Sequence, residues 1–114
     1  MSALELLKGA RALLAEGRWH QGDYECSEGD TTCFCAGGAI ATVGDNGVDA
    51  LMEEYSPEGQ AISWLAEHLP AHEVETYGAD EAVYRFNDAV GRTVEEVVAL
   101  FDKAIAAHGD PVAA

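Results

Sequence analysis

A chain of 114 residues with 48 % hydrophobic content is long enough for one domain with its own core and too apolar for intrinsic disorder. Its 21 acidic and 6 basic residues leave a formal charge of −15, which repels nucleic-acid phosphates and anionic membrane and argues against both as direct partners. No apolar run approaches the roughly 18 residues of a membrane span, and the opening MSALELLKGARALL, with Glu5 inside it, does not read as a signal peptide, so the expected setting is cytoplasmic.

Ser2 and Glu5 have capping-box spacing. Leu6, Leu7, Ala10, Leu13 and Leu14 then recur with helical period up to a stop at Gly17. Residues 18–32, RWHQGDYECSEGDTT, have no period and form the longest predicted loop. Residues 33–43 predict a helix of small side chains that ends at Gly44, and DNG at 45–47 predicts a turn. Val48, Leu51, Met52 and Tyr55 fall at i, i+3, i+4 and i+7, the pattern of a helix with those four on one face. Ser56-Pro57 supplies a cap and a first-turn proline for the next helix, whose stripe is Ile62, Leu65, Ala66 and Leu69 before Pro70. AHEVETYG, 71–78, reads as an extended piece or a short turn. Asp80 is expected to cap a helix with Ala82, Val83, Phe86 and Val90 inward, ended by Gly91. Thr93 and Glu96 form a second capping box, ahead of an amphipathic stripe of Val94, Val97, Val98, Phe101, Ala104 and Ile105 that Gly109 stops. The pattern predicts an all-α, compact single domain of five to six short helices over 1–109, with a frayed tail at 110–114. Trp19 to Tyr24 and Glu73 to Tyr77 are the strand candidates, able to pair as a minor two-stranded ribbon.

Three cysteines is an odd number, and a reducing compartment keeps thiols free, so no structural disulfide is expected. Cys26, Cys33, Cys35 and His20 are four soft ligand types, but their spacing matches neither zinc knuckles nor iron–sulfur sites. A thiol nucleophile at Cys35 near a helix start, with His20 as base, is a second reading. The neighbours of Cys35 favour a third. Ala36, Gly37, Gly38, Ala39 and Ala41 are all small, and a helical glycine costs about 1 kcal/mol relative to alanine. Two in succession predict a buried central helix crossed closely by a neighbour, with Cys35 as a small apolar core residue. No metal, cofactor or catalytic residue is assigned, and phosphate-loop, nucleophile-elbow and H-E-x-x-H signatures are absent from the sequence.

RWHQGDY at 18–24 and FNDAVGRT at 86–93 bring five polar or aromatic candidates: Trp19, Gln21, Asn87, Asp88 and Arg92. The structural reading has Asp88 and Arg92 tying a helix junction, Trp19 packing on it, and Gln21 satisfying loop backbone. The functional reading is a small polar pocket for an anion or a peptide end. Glu81, Arg85 and Asp88 are spaced to pair along one helix face.

W-x-Q-G at 19–22, C-x-x-G-A-I at 35–40 and N-D-x-x-G-R-T-x-E-E-V-x-x-L-F-D-x-A at 87–104 together resemble an uncharacterised small domain family of actinobacteria and their phages. The resemblance implies a single small domain in a cytoplasmic bacterial or phage setting, and it implies no catalytic residue. The function expected from charge, size and missing signatures is a non-enzymatic interaction or regulatory module, accessory or phage-encoded. It would bind a partner protein with a basic surface. The alternative is a small-molecule-binding or hydrolytic domain centred on the five candidates. A homodimer is compatible with the wide apolar stripes.

Overall fold

The computed structural model describes residues 1–22, 25–28 and 31–109. Its helices are α1 (Ala3–Ala15), α2 (Ala36–Gly44), α3 (Pro57–Ala66), α4 (Ala71–Tyr77), α5 (Ala79–Asp88) and α6 (Val94–His108), with a 3-10 helix at Val48–Met52. Two short strands, β1 (Glu25–Glu28) and β2 (Thr31–Phe34), form an antiparallel hairpin between α1 and α2. The domain is all-α around one core. The tail at 110–114 lies outside the described residues.

Both capping boxes form. Ser2 accepts from the Glu5 amide while Glu5 accepts from the Ser2 amide, and Thr93 and Glu96 do the same at α6. Ser56 caps α3 with Pro57 at its first position. The predicted apolar stripes of α1, α3 and α6 meet in the core: Leu6, Leu7, Leu14, Ile62, Leu65, Val97 and Phe101 are essentially buried.

Helix α2 sits centrally, touching α1, α3, α5, β2 and the 3-10 helix. Residues 36–41 are all buried. Close packing of α1 on α2 shows at Gly9, where a Cβ would lie 2.9 Å from a methyl of Val43. Small side chains on α2 and at Gly9 and Ala10 let the helix axes approach, and the larger Ile40 fills the space between.

The sequence pattern and the structure part in five places. The helix predicted at 33–43 begins only at Ala36, with Cys35 as its N-cap, so Cys33 belongs to β2. The ribbon is β1–β2, with β1 inside the predicted loop and β2 running from its end into the predicted helix, whereas Glu73 to Tyr77 are helical. Residues 23–24 of the other strand candidate are outside the described residues. The helix expected over Val48 to Tyr55 is a 3-10 helix that ends at Met52, because the Ser56 hydroxyl donates to the carbonyls of Ala50 and Glu53 (2.6 and 2.9 Å) and turns the chain away. Only Leu51 of the four predicted inward residues is buried. Gly78 (φ 86°), not Asp80, precedes α5, since α4 and α5 abut through that one residue. Helix α5 stops at Asp88, which leaves Val90 on the following turn, fully exposed.

Glu58 was unforeseen. It lies in the first turn of α3 yet is 1 % exposed. Oε2 accepts from Asn46 Nδ2 at 2.7 Å. Oε1 is the one buried side-chain polar atom without a hydrogen-bond partner among the described residues. Toward the other end of α3, the rings of Trp64 and His108 stack with centroids 4.0 Å apart, and His108 Nε2 meets Glu67 Oε1 at 2.6 Å, tying the end of α3 to the end of α6.

Two predictions test this packing. A Cβ at Gly59 would fall 1.9 Å from the Glu53 carbonyl oxygen, a backbone atom that cannot yield cheaply. Gly59→Ala is therefore expected to lower stability by about 2–3 kcal/mol in urea titration, overriding the roughly 1 kcal/mol that alanine gains in helix propensity. At α6, the Thr93 amide and then Arg92 hold the Glu96 carboxylate below its ordinary pKa of 4.5. The sign follows: the unfolded chain takes up this proton first, so the contribution is present above 4.5 and lost as pH falls through the lower folded value. Glu96→Gln retains a box-competent oxygen but no charge, so its melting temperature should sit below the parent's at neutral pH, and the gap should close as pH falls below 4.5 and through the lower folded value.

Candidate functional site

The three sequence motifs meet at one place. Segment 18–20 runs alongside β2: Phe34 donates to the Arg18 carbonyl (2.9 Å) and accepts from the His20 amide (2.8 Å), so Trp19 and Phe34 form a parallel bridge. Arg18 adds Nε to the Thr32 carbonyl at 2.8 Å and lies over the Phe34 ring. Beyond Phe34 the chain enters α2 through Cys35, whose Sγ accepts from the Gly38 amide at 3.3 Å as a helix N-cap.

Asn87, fully buried on α5, joins these pieces. Its Oδ1 accepts from Trp19 Nε1 (2.7 Å) and from the Ala36 amide (3.0 Å), one of the donors that the first turn of α2 leaves open. Its Nδ2 donates to the His20 carbonyl (3.0 Å) and to Asp88 Oδ1 (3.0 Å). An asparagine amide offers two acceptor and two donor positions, and all four are filled.

The remaining candidates surround it. Gln21 Nε2 donates to the carbonyls of Asn87 (2.9 Å) and Ala89 (3.1 Å), capping the end of α5. Asp88 Oδ1 also accepts from the Gly22 amide at 3.0 Å, and the Tyr84 hydroxyl donates to the Gly22 carbonyl. Gly22 has φ +103° and Gly91 φ +81°, backbone that only glycine adopts readily, which accounts for the glycines of W-x-Q-G and G-R-T. Arg92 donates Nε to the Phe86 carbonyl (2.8 Å), stacks 3.8 Å over the Phe86 ring and pairs with Glu96 at 3.3 Å. Trp19, Gln21, Asn87 and Asp88 thus converge through direct bonds. Arg92 ties the opposite flank of the same junction. Glu81, Arg85 and Asp88 diverge in use, for Arg85 lies 4.1 Å over the Tyr77 ring.

The cluster has the chemistry of a clamp. Most of its polar atoms face one another or main-chain groups. An open cleft of about 470 Å³ adjoins it, lined by Glu73, Glu81, Tyr84, Arg85, Asp88 and Val90, and of the five candidates only Asp88 reaches it. A second, more apolar cleft of about 380 Å³ lies between α3 and α4 beside Leu69 and Val74. Cys35 is 0 % exposed, and burial pushes its thiol pKa up, with the nearby Asp88 carboxylate adding to the effect. That environment opposes a thiolate nucleophile. Among the described residues no group of three or more His, Cys, Asp or Glu side chains is placed to hold a metal ion.

The missed contributors are main-chain groups: the Ala36 amide and the His20 carbonyl, which no residue pattern announces. Replacing Asn87 by leucine would strand Trp19 Nε1, the Ala36 amide and the His20 carbonyl, each at about 1–3 kcal/mol. Asn87→Leu should therefore lower the unfolding free energy by about 3–5 kcal/mol, against about 1 kcal/mol for the exposed Gln21→Ala, both read from urea midpoints. Equal costs would show that Asn87 is not the centre of the clamp.

No helix among the described residues is long and apolar enough to cross a membrane. No curated protein and no solved structure matches the chain. A family described as a family of unknown function (DUF6197) matches residues 1–107, and the three motifs that build the clamp all fall inside that span, so the chain belongs to that family.

Proposed function

We propose that the protein is a non-enzymatic interaction module whose acidic surface engages a basic face of a partner protein. One observation carries this reading: a long stretch of chain without positive charge presents apolar side chains to solvent. Between Arg18 and Arg85 there is no lysine or arginine. Within that stretch Met52 is 61 % exposed and Tyr55 94 %, with Val48 beside them, among the exposed acids Asp45, Asp49, Glu53 and Glu54. Exposed tyrosine and methionine, with exposed acids as their neighbours in sequence, suit an interface to which the apolar side chains supply affinity and the carboxylates steer a basic partner.

The polar cluster at Asn87 supports the same preference from the other side. Its residues answer one another's hydrogen-bonding needs, which fits a clamp better than a pocket built from them for a small molecule. The resemblance to a family of actinobacteria and their phages supports a cytoplasmic, accessory or phage-encoded setting.

The double variant Met52→Ser/Tyr55→Ser touches exposed side chains and should melt with the parent. Capture from a lysate of an actinobacterial host at low salt should retain a partner with a basic surface on the parent, release it at high salt, and bind the variant about tenfold more weakly, roughly 1.4 kcal/mol. No partner at low salt, or equal capture by parent and variant, overturns the proposal.

A further inference from the structure

The hairpin register resolves the odd cysteine count into a pair and a spare. Cys26 and Cys33 are direct cross-strand partners. Antiparallel partners alternate between hydrogen-bonded and non-hydrogen-bonded pairs. The Phe34 amide and carbonyl both bond segment 18–20, and the Thr32 carbonyl accepts from Arg18, so residues 32 and 34 turn their backbone groups away from β1. By alternation Cys33 faces β1, which makes Cys26–Cys33 a hydrogen-bonded pair. Such pairs have Cα atoms about 5.5 Å apart, within the Cα span of a disulfide; their Cβ atoms, at the wide end of the roughly 4.5–5.5 Å cross-strand range, must draw in to about 3.5–4.5 Å, which makes the link readily reducible.

The third thiol is set apart. Cys35 is completely buried, serves as the N-cap of α2 and is held protonated by its surroundings, whereas Cys33 is partly exposed. A thiolate must reach an incoming disulfide to exchange with it, and burial denies Cys35 that.

We propose that Cys26 and Cys33 are a thiol–disulfide exchange site, closing a cross-strand disulfide when the protein meets a low-molecular-weight disulfide, with Cys35 left as a thiol. One thiolate of the pair attacks a sulfur of the small disulfide, forming a mixed disulfide and expelling one small thiolate. The second thiolate attacks the protein sulfur of that mixed disulfide and expels the other. Two protein thiols are oxidised to one disulfide, one small disulfide is reduced to two small thiols, and the two protein protons end on those thiols. Excess small thiol runs the exchange backwards, so the link is reversible in a reducing compartment. The link ties β1 to the strand that leads straight into the cap of α2 and flanks the Trp19–Phe34 bridge. This site is independent of the acidic surface.

The test uses the whole chain, fully reduced, then incubated in native buffer with excess oxidised glutathione. It is alkylated with iodoacetamide in denaturant and weighed intact, with a parallel digest by a protease that cuts after glutamate. Glu28 lies between Cys26 and Cys33, so the bridged product appears as two joined peptides, and because Cys33 and Cys35 share one of them, fragmentation of the joined pair locates the alkylated thiol. The expected result is the loss of two hydrogens, one alkylated thiol located at Cys35, and restoration of three alkylated thiols after dithiothreitol. Cys26→Ser should yield no intramolecular disulfide, and in concentrated urea the preference for the Cys26–Cys33 link should disappear. A native-state product that links Cys35 to either partner, a stable mixed disulfide without closure, or three free thiols after prolonged exposure overturns the proposal.

Discussion

The Asn87 amide fixes the relation of three parts of the chain that have little else in common. It binds the indole of Trp19 on the segment leaving α1, the first amide of α2, and the carbonyl of His20, while leaning on Asp88. Each of these groups would otherwise lie partly or wholly buried without a partner, at a cost per group comparable to a sizeable fraction of a small domain's stability. No other side chain supplies two acceptor and two donor positions in so short a reach. Aspartate lacks the donors, and glutamine would have to be placed one bond further away.

Around that amide the chain solves the problem of its own ends. Gln21 and Arg92 take the last carbonyls of α5, Asn87 and Cys35 take the first amides of α2, and Thr93 with Glu96 begin α6. The motif residues are therefore mostly terminators and starters of helices, held in contact. This gives a physical reason for the residue types in the W-x-Q-G and N-D-x-x-G-R-T stretches without invoking a substrate.

How much of this was legible from residues alone depended on periodicity. Helices α1, α3 and α6 bury one stripe each, and both capping boxes are local, so the sequence pattern shows them directly. Helix α4 has no buried residue and thus no stripe to detect. The strands are four residues each and mostly polar, too short for alternation to stand out. The 3-10 helix mimics an amphipathic helix in spacing, but the Ser56 hydroxyl ends it through a bond that spacing does not encode. The burial of Glu58 has no sequence signal for a related reason: an acid in the first turn of a helix ordinarily faces water, and only the fold places Asn46 and the end of α2 over it. At the clamp, the grouping of Trp19, Gln21, Asn87 and Asp88 was visible in composition. The partners were not, because half of them are main-chain atoms.

The middle of the chain carries a consequence of its charge that has nothing to do with binding. With its lysines confined to Lys8 and Lys103, amine-directed chemistry, whether acetylation, ubiquitin-like tagging or a lysine-reactive label, can reach side chains only on α1 and α6. Trypsin likewise finds no cleavage point from residue 19 to residue 84 even in the unfolded chain. The hairpin, α2 and the acidic face are thus invisible to lysine-directed reagents and to trypsin, and covalent modification of side chains there falls to other groups, such as carboxylate, hydroxyl, imidazole and sulfur.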